Sequence, residues 1–281
     1  MKIIRSIQDM QSYTMRLQMQ GQSIGFVPTM GALHEGHRSL VRRARDENDI
    51  VVVSIFVNPL QFGPKEDYKR YPRRFAQDEA LLVKDHVDVL FAPGADAIYP
   101  QGYTTVVDVP ALTRTLCGPF RRGHFQGVAT VVAKLFEIVQ PTRAYFGEKD
   151  YQQIRVIARM IDDLAMPVRL VACSTVREKD GLACSSRNRY LSRKEREEAI
   201  KLYQALYLGR ELIDQKIMLN PQKLVRRLMD VLKTIPHGRV DYLSVVDPVT
   251  LEPMKRIHRP ALLAGAIWIG KTRLIDNVII P

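Results

Sequence analysis

The run Ile50-Val-Val-Val-Ser-Ile-Phe-Val57 decides the fold. Six of its residues are β-branched and only Ser54 is polar, so there is neither the alternation of a half-exposed strand nor the spacing of a helix. Such a run is a strand buried on both faces of a parallel sheet. Working outward, Ile24–Val27 reads as a second strand, followed by a basic helix over 33–46. A helix over 76–85 leads to a strand at Val87–Ala92, and Thr104–Val109 has the composition of another. Gly127–Val139 is apolar nearly all round, the mark of a buried helix. Ala144–Phe146 is a short strand, 151–164 a helix, and Val168–Ala172 a strand. Strands alternating with helices predict an α/β architecture with a doubly wound parallel sheet.

Beyond about residue 175 the pattern changes. Residues 192–215 form a long helix opening at a Ser192 cap, and Asn220-Pro221 offers a cap with proline in the first helical position. Strand-like runs follow at Val240–Val246, Ala261–Ile269 and Arg273–Ile280. The expected organisation is one domain over 1–175 and a smaller α+β domain over 176–281. With 46% apolar and 26% charged residues in 281, the chain is neither collagen-like nor disordered. No run is long enough to span a membrane and no secretory leader is evident. Cys117, Cys173 and Cys184 are odd in number and scattered, as for reduced thiols, so a soluble cytoplasmic protein is expected. The net charge of +12 favours anionic partners. Its basic residues are scattered, and in Ser192-Arg-Lys-Glu-Arg-Glu-Glu198 they alternate with acids as on a solvated helix, which makes nucleic acid an unlikely partner.

Four segments could carry chemistry. Pro28-Thr-Met-Gly-Ala-Leu-His-Glu-Gly-His37 lies between a strand and a helix, where backbone N–H groups and the helix dipole suit a phosphate. Gly31 and Gly36 allow close approach, and His34 and His37, three apart, face the same way and can donate to phosphate oxygens. A metallopeptidase helix needs its histidines four apart, so zinc does not fit. Phe146-Gly-Glu-Lys-Asp-Tyr-Gln-Gln153 offers Lys149 as a compact charge for phosphate and Asp150 for a ribose hydroxyl or magnesium. Val176 to Asn188 is a polar loop whose Ser185, Ser186 and Arg187 could close over a triphosphate. Asn58 and Gln61 follow the strand 50–57, where amides would orient a hydroxylated acid. Taken singly, the first also fits an incidental turn, the second a surface turn and the third a flexible link.

Together the stretches PTMGALHEGH, VSIFVNPLQFGPKEDYKRYPR, GHFQGVATVVAKLF, FGEKDYQQ and VREKDGLACSSRNRYLS resemble the pantoate–β-alanine ligases, members of the HxGH nucleotidyltransferase superfamily, over nearly the whole chain. The resemblance implies a Rossmann-like domain that binds ATP and pantoate and a C-terminal domain that closes over the site. It implies ATP contacts at Met30, Gly31, Ala32, Leu33, His34, Glu35, Gly36 and His37. It implies further ATP contacts at Gly147, Glu148, Lys149, Asp150, Val176, Cys184, Ser185, Ser186 and Arg187. His37 would be the proton donor, His34 would act beside it on the phosphates, and Lys149 would stabilise charge on the α-phosphate. Gln61 and Gln153 would hold pantoate, and Gln61 would also touch β-alanine; Arg121 and Asn58 are weaker candidates near β-alanine and magnesium. Magnesium would enter with the ATP phosphates, without a dedicated protein cage, and a homodimer is implied. The chain departs from the pattern at Arg38, Arg122 and Cys184, and Arg38 is expected to add charge near the phosphates. The rivals are a nucleotidyltransferase that stops at an adenylated product, an aminoacyl-tRNA synthetase and a basic nucleic-acid-binding protein.

Overall fold

The structure, a computed structural model, describes every residue except Lys65 and His237. Its elements run β1 (Lys2–Ile4), α1 (Ile7–Met19), β2 (Ile24–Thr29), α2 (Glu35–Glu47), β3 (Ile50–Ile55), α3 (Phe75–Lys84), β4 (Val89–Phe91) and α4 (Ala95–Ile98). They continue with α5 (His124–Val139), β5 (Arg143–Gly147), α6 (Tyr151–Asp163), β6 (Arg169–Cys173), α7 (Arg193–Asp214), α8 (Pro221–Leu232), β7 (Gly238–Val246), β8 (Ala261–Ile269) and β9 (Thr272–Ile280). The chain divides into two compact units. One comprises Met1–Val109, Arg122–Glu148 and Val156–Ser174, the other Pro110–Arg121, Lys149–Arg155 and Thr175–Pro281.

In the first unit a parallel sheet has the order β1-β4-β3-β2-β5-β6. The winding reverses between β2 and β5, so their carboxyl ends mark the switch point where such sheets take ligands. Both faces are covered, as the unbroken apolar run of β3 requires. Val27, Val53 and Tyr145 pack with Leu40 and Val41 of α2 and Leu82 of α3. On β2 and β5 the alternate residues Phe26 and Phe146 meet the edge of Phe136, from α5, at 6.5 and 6.4 Å. Each such fully buried side chain contributes about 1.5–3 kcal/mol. The expected α/β fold is observed, with two elements, β1 and α1, added ahead of Ile24.

Thr104–Val109 is not a strand. The backbone N–H of Val107 donates to Thr130 Oγ1 at 2.9 Å, and the Val107 carbonyl accepts from the same hydroxyl at 3.3 Å. A helix side chain thus takes the place of a neighbouring strand.

The second unit contains the antiparallel sheet β7-β8-β9 with α7 and α8. Leu202 and Leu206 of α7, Leu224 and Leu228 of α8, and Leu263 and Ile267 of β8 share its core. The helix starts follow the sequence. Ser192 Oγ accepts from Glu195 N while Glu195 returns a bond to Ser192 N, and Asn220 caps α8 ahead of Pro221. Charge is divided unevenly. Twenty-four of the forty-two Lys and Arg, but thirteen of the thirty Asp and Glu, belong to this unit, which leaves it an excess of eleven positive charges and the first unit an excess of one. Among the described residues no helix is long and apolar enough to cross a membrane.

Candidate active site

In the first unit the carboxyl ends of β2, β3 and β5 carry the residues of interest. β2 ends at Thr29, whose hydroxyl donates to Ser54 O at 2.8 Å and accepts from Gly31 N at 3.1 Å. That pairing turns the chain at once into Met30–Leu33, with Gly31 at φ 79° and Ala32 at φ 51°. Helix α2 starts later than the spacing suggests. His34 occupies the cap position in extended conformation, φ −141° and ψ 177°, and His37 is the third helical residue. The rings still come together, with centroids 4.0 Å apart and planes inclined by 32°. Leu33 is buried in the core and Ala32 is fully covered, while His34, Gly36 and His37 are partly accessible and Glu35 is exposed.

Past β3, Asn58 caps the short 3-10 turn Pro59–Gln61 by accepting from Leu60 N at 3.3 Å. Its amide donates to Gln61 Oε1 at 3.2 Å and to Gly127 O at 2.9 Å. Gln61 Nε2 lies 2.9 Å from Met30 Sδ, so the amide pair and the histidine turn adjoin. Two supports escaped the sequence reading. Tyr99 donates its hydroxyl to Asn58 Oδ1 at 2.8 Å, and His124 Nδ1 lies 2.7 Å from Gln61 O. Burial pushes the Tyr99 phenol far above its ordinary range, so it remains a donor. Neither residue announces itself by spacing, because each acts through a partner far away in the chain. Gly147 closes β5, and a methyl group there would meet nothing within 4 Å; Glu148 follows it. Arg122 is exposed.

The second unit holds the remaining candidates. Lys149 and Asp150 end a 3-10 turn with Lys149 Nζ 3.9 Å from Asp150 Oδ2, and Asn277 Nδ2 donates to Lys149 O at 3.0 Å. Adjacent glutamines on α6 have different surroundings. Gln152 is buried, donating to Leu112 O and Thr115 O at 2.9 and 3.0 Å and accepting from Cys117 N at 3.0 Å. Gln153 is half-buried. Val176 and Cys184 are brought together, since Cys184 N donates to Val176 O at 3.0 Å. Ser185 Oγ accepts from Arg187 N at 3.2 Å, and Ser186 is buried. This loop is fastened at several points. Arg177 grips Asp276 with two bonds, 2.6 and 3.0 Å, under the Tyr203 ring, and Arg196 reaches Glu178 and Asp180 at 2.6 and 2.7 Å. Arg121 ends the turn Gly118–Phe120. The three cysteines are buried and form no disulfide, and among the described residues no three His, Cys, Asp or Glu gather to hold a metal.

In the first unit, paired imidazoles after one strand and an amide pair after the next suit an anionic nucleotide and a small polar acid. Comparison with known proteins agrees. The family model of pantoate-beta-alanine ligase matches residues 2–279. Pantothenate synthetases of Thermotoga petrophila and Moorella thermoacetica are each 51% identical to the chain; the first match covers all of both chains, the second all of this chain and 99% of the relative. The crystal structure of pantothenate synthetase from Thermus thermophilus superposes with a TM-score of 0.94 at 49% identity, covering 100% of this chain and 99% of that one. Pantoate-beta-alanine ligase from Francisella tularensis, solved in complex with beta-gamma ATP and beta-alanine, gives 0.81 at 37% identity, covering 99% and 97%. The chain belongs to the pantoate–β-alanine ligase family.

Proposed function

We propose that the protein condenses pantoate with β-alanine at the expense of ATP, forming pantothenate, AMP and diphosphate through a pantoyl-adenylate. The observation that carries this is the His34–His37 stack at the carboxyl end of β2, with Gln61 against Met30 of the same turn. A carboxylate does not acylate an amine at neutral pH, so it must first be activated. One pantoate carboxylate oxygen attacks the α-phosphorus, the bond to the β-phosphate bridging oxygen breaks, and diphosphate leaves with its electron pair. The neutral amine of β-alanine then adds to the acyl carbon, AMP departs, and the amine's proton passes to solvent or a nearby base. No covalent enzyme intermediate is needed, and catalysis is mainly positioning and electrostatics.

In this reading the turn 30–37, through its accessible residues, contacts ATP together with Gly147, Glu148, Lys149, Asp150, Val176, Cys184, Ser185, Ser186 and Arg187. His37 donates a proton as charge leaves with diphosphate, His34 acts beside it, and Lys149 offsets charge on the α-phosphate. The amides of Gln61 and Gln153 hold pantoate's hydroxyls and carboxylate, and Gln61 also meets β-alanine. Residues 1–175 then bear most of the nucleotide and pantoate recognition, and 176–281 supply the hydroxyl and arginine loop. Magnesium, borne on the phosphates, would neutralise part of their charge, with Asp150 a carboxylate of the candidate set that could help hold it. Homodimeric assembly and a cytoplasmic location complete the proposal.

The test is product release from ATP and magnesium. AMP is expected only with both pantoate and β-alanine, while pantoate alone supports exchange of labelled diphosphate into ATP. Finding neither AMP nor exchange overturns the proposal.

A further inference from the structure

We propose that helix α3 is the brace that sets the histidine turn, with Asp78 a positioning residue for the adenylation step and Arg38–Asp85 the second fastening. The inference rests on the ligase reading above for its kinetic part only. Asp78 is 2% exposed, on the first turn of α3. Its two oxygens accept from Ala32 N and Leu33 N, each at 2.8 Å. Those are the last two amides before His34. They follow the two left-handed residues of the turn, and Ala32 adopts that conformation although it carries a side chain. Such backbone persists only where its surroundings hold it, and a carboxylate accepting two N–H groups is a strong holder. The fit is close, since a methyl group on Gly31 would lie 3.0 Å from Asp78 Oδ2.

The other end of α3 holds the other side of the same turn. Asp85, its C-cap, receives Arg38 through Nε and Nη2 at 2.7 and 2.5 Å. Arg38 is the residue whose N–H closes the first helical bond of α2, to His34 O at 3.1 Å. Asp78, Leu82 and Asp85 are spaced four and three apart, so they share one face of α3, and Leu82 is fully buried. Residues 34–37 are therefore bracketed, backbone on one side and side chain on the other, by a single rigid element. Two readings of the sequence change. Arg38 does not stand as surplus charge near phosphate, because Asp85 and Glu35 share it. The N–H groups of Ala32 and Leu33 are committed to Asp78 and both residues are buried, so neither serves as a phosphate donor.

The experiment compares the wild-type chain with Asp78→Asn and Arg38→Leu. Hydrogen exchange at the Ala32 and Leu33 amides and the imidazole resonances of His34 and His37 are read without reference to activity. Pantoate-dependent diphosphate–ATP exchange is then measured across pH. Asp78→Asn is expected to lower protection at both amides and shift both imidazoles. It should also lower kcat about a hundredfold, as for an ångström-scale misplacement, with the pantoate KM within about twofold and a displaced pH profile. Arg38→Leu is expected to shift the same imidazoles by less and to cost a few-fold in kcat. Should Asp78→Asn fail to fold, Arg38→Leu decides by the same readouts. Unchanged imidazoles in the folded variant overturn the brace. Lack of exchange in the wild-type chain overturns the ligase reading instead, and the amide and imidazole readouts still judge α3.

Discussion

Gly127→Ala is the perturbation whose outcome the geometry specifies most fully. Gly127 lies in α5 where the helix crosses the turn Pro59–Gln61. A methyl group there would sit 2.3 Å from Leu60 O, 2.4 Å from Leu60 C and 2.7 Å from Gln61 N, whereas ordinary contact begins near 3.4 Å. These are backbone atoms, so no side chain can swing aside, and relief takes a shift of about 1 Å in either the helix or the turn. The helix is the less able to move, because Val128, Ala129, Val131 and Val132 are all buried beside the substitution. The turn therefore gives way, carrying Gln61 and straining the bond from Asn58 Nδ2 to Gly127 O. Overpacking costs about 1–3 kcal/mol, and the better helix propensity of alanine returns about 1 kcal/mol, so the protein stays folded. On the proposed role of Gln61 in holding pantoate, displacing its amide by about 1 Å costs about a hundredfold in kcat/KM, close to 3 kcal/mol in the transition state. The assay is pantoate-dependent diphosphate–ATP exchange alongside thermal unfolding. Pantoate kcat/KM should collapse while the ATP KM changes little. A folded variant with wild-type pantoate kinetics would refute the assignment of Gln61 and the rigidity argument together.

Tyr99→Phe removes the donor to Asn58 Oδ1 and should raise the pantoate KM about fivefold, the worth of one hydrogen bond, with the ATP KM unchanged; equal effects on both would contradict it. Lys149→Ala and His37→Ala should each lower turnover by at least about a hundredfold at nearly wild-type stability, and wild-type turnover in either removes that residue from the catalytic set. Gln153→Ala should raise the pantoate KM more than the ATP KM, whereas the buried Gln152→Ala should mainly lower the unfolding temperature. Tyr145 carries a pH prediction. Burial above all, and its hydrogen bond to Glu47, push the phenol from its ordinary 10.0 up to about 12. The folded state thus holds the neutral phenol, and its contribution is complete below pH 10 and lost as pH rises towards about 12. The stability difference between wild type and Tyr145→Phe, measured by urea titration, should be constant up to pH 10 and shrink above it; a constant difference to pH 12 would be inconsistent.

What could be read in advance followed local physics. The β-branched run at 50–57 fits only a doubly covered strand, and the caps at Ser192 and Asn220 are set by the residues beside them. The histidine turn was legible because glycines, histidines and the following helix lie within ten residues. What stayed hidden depends on distant partners. Thr104–Val109 has strand composition, yet its hydrogen bonds go to Thr130. Gln152 and Gln153 are indistinguishable as letters, and only the carbonyls of Leu112 and Thr115 decide which one turns inward. Asp78 and Asp85 look like two exposed acids on an ordinary helix until α2 is laid beside them. Segments 110–121 and 149–155 group with the C-terminal part through such ties as Thr115 Oγ1 to Leu251 O and Asn277 Nδ2 to Lys149 O. No composition shift marks that grouping.

The uneven division of charge has a kinetic consequence. A unit with a net excess of eleven positive charges draws anions over roughly a Debye length, about 8 Å at physiological ionic strength, and does little to a zwitterion. In the reaction proposed here, ATP and pantoate are anions and β-alanine carries no net charge. Added salt therefore slows the encounter of the first two and spares the third. Diphosphate leaves against the same attraction, so the field that hastens arrival also delays departure.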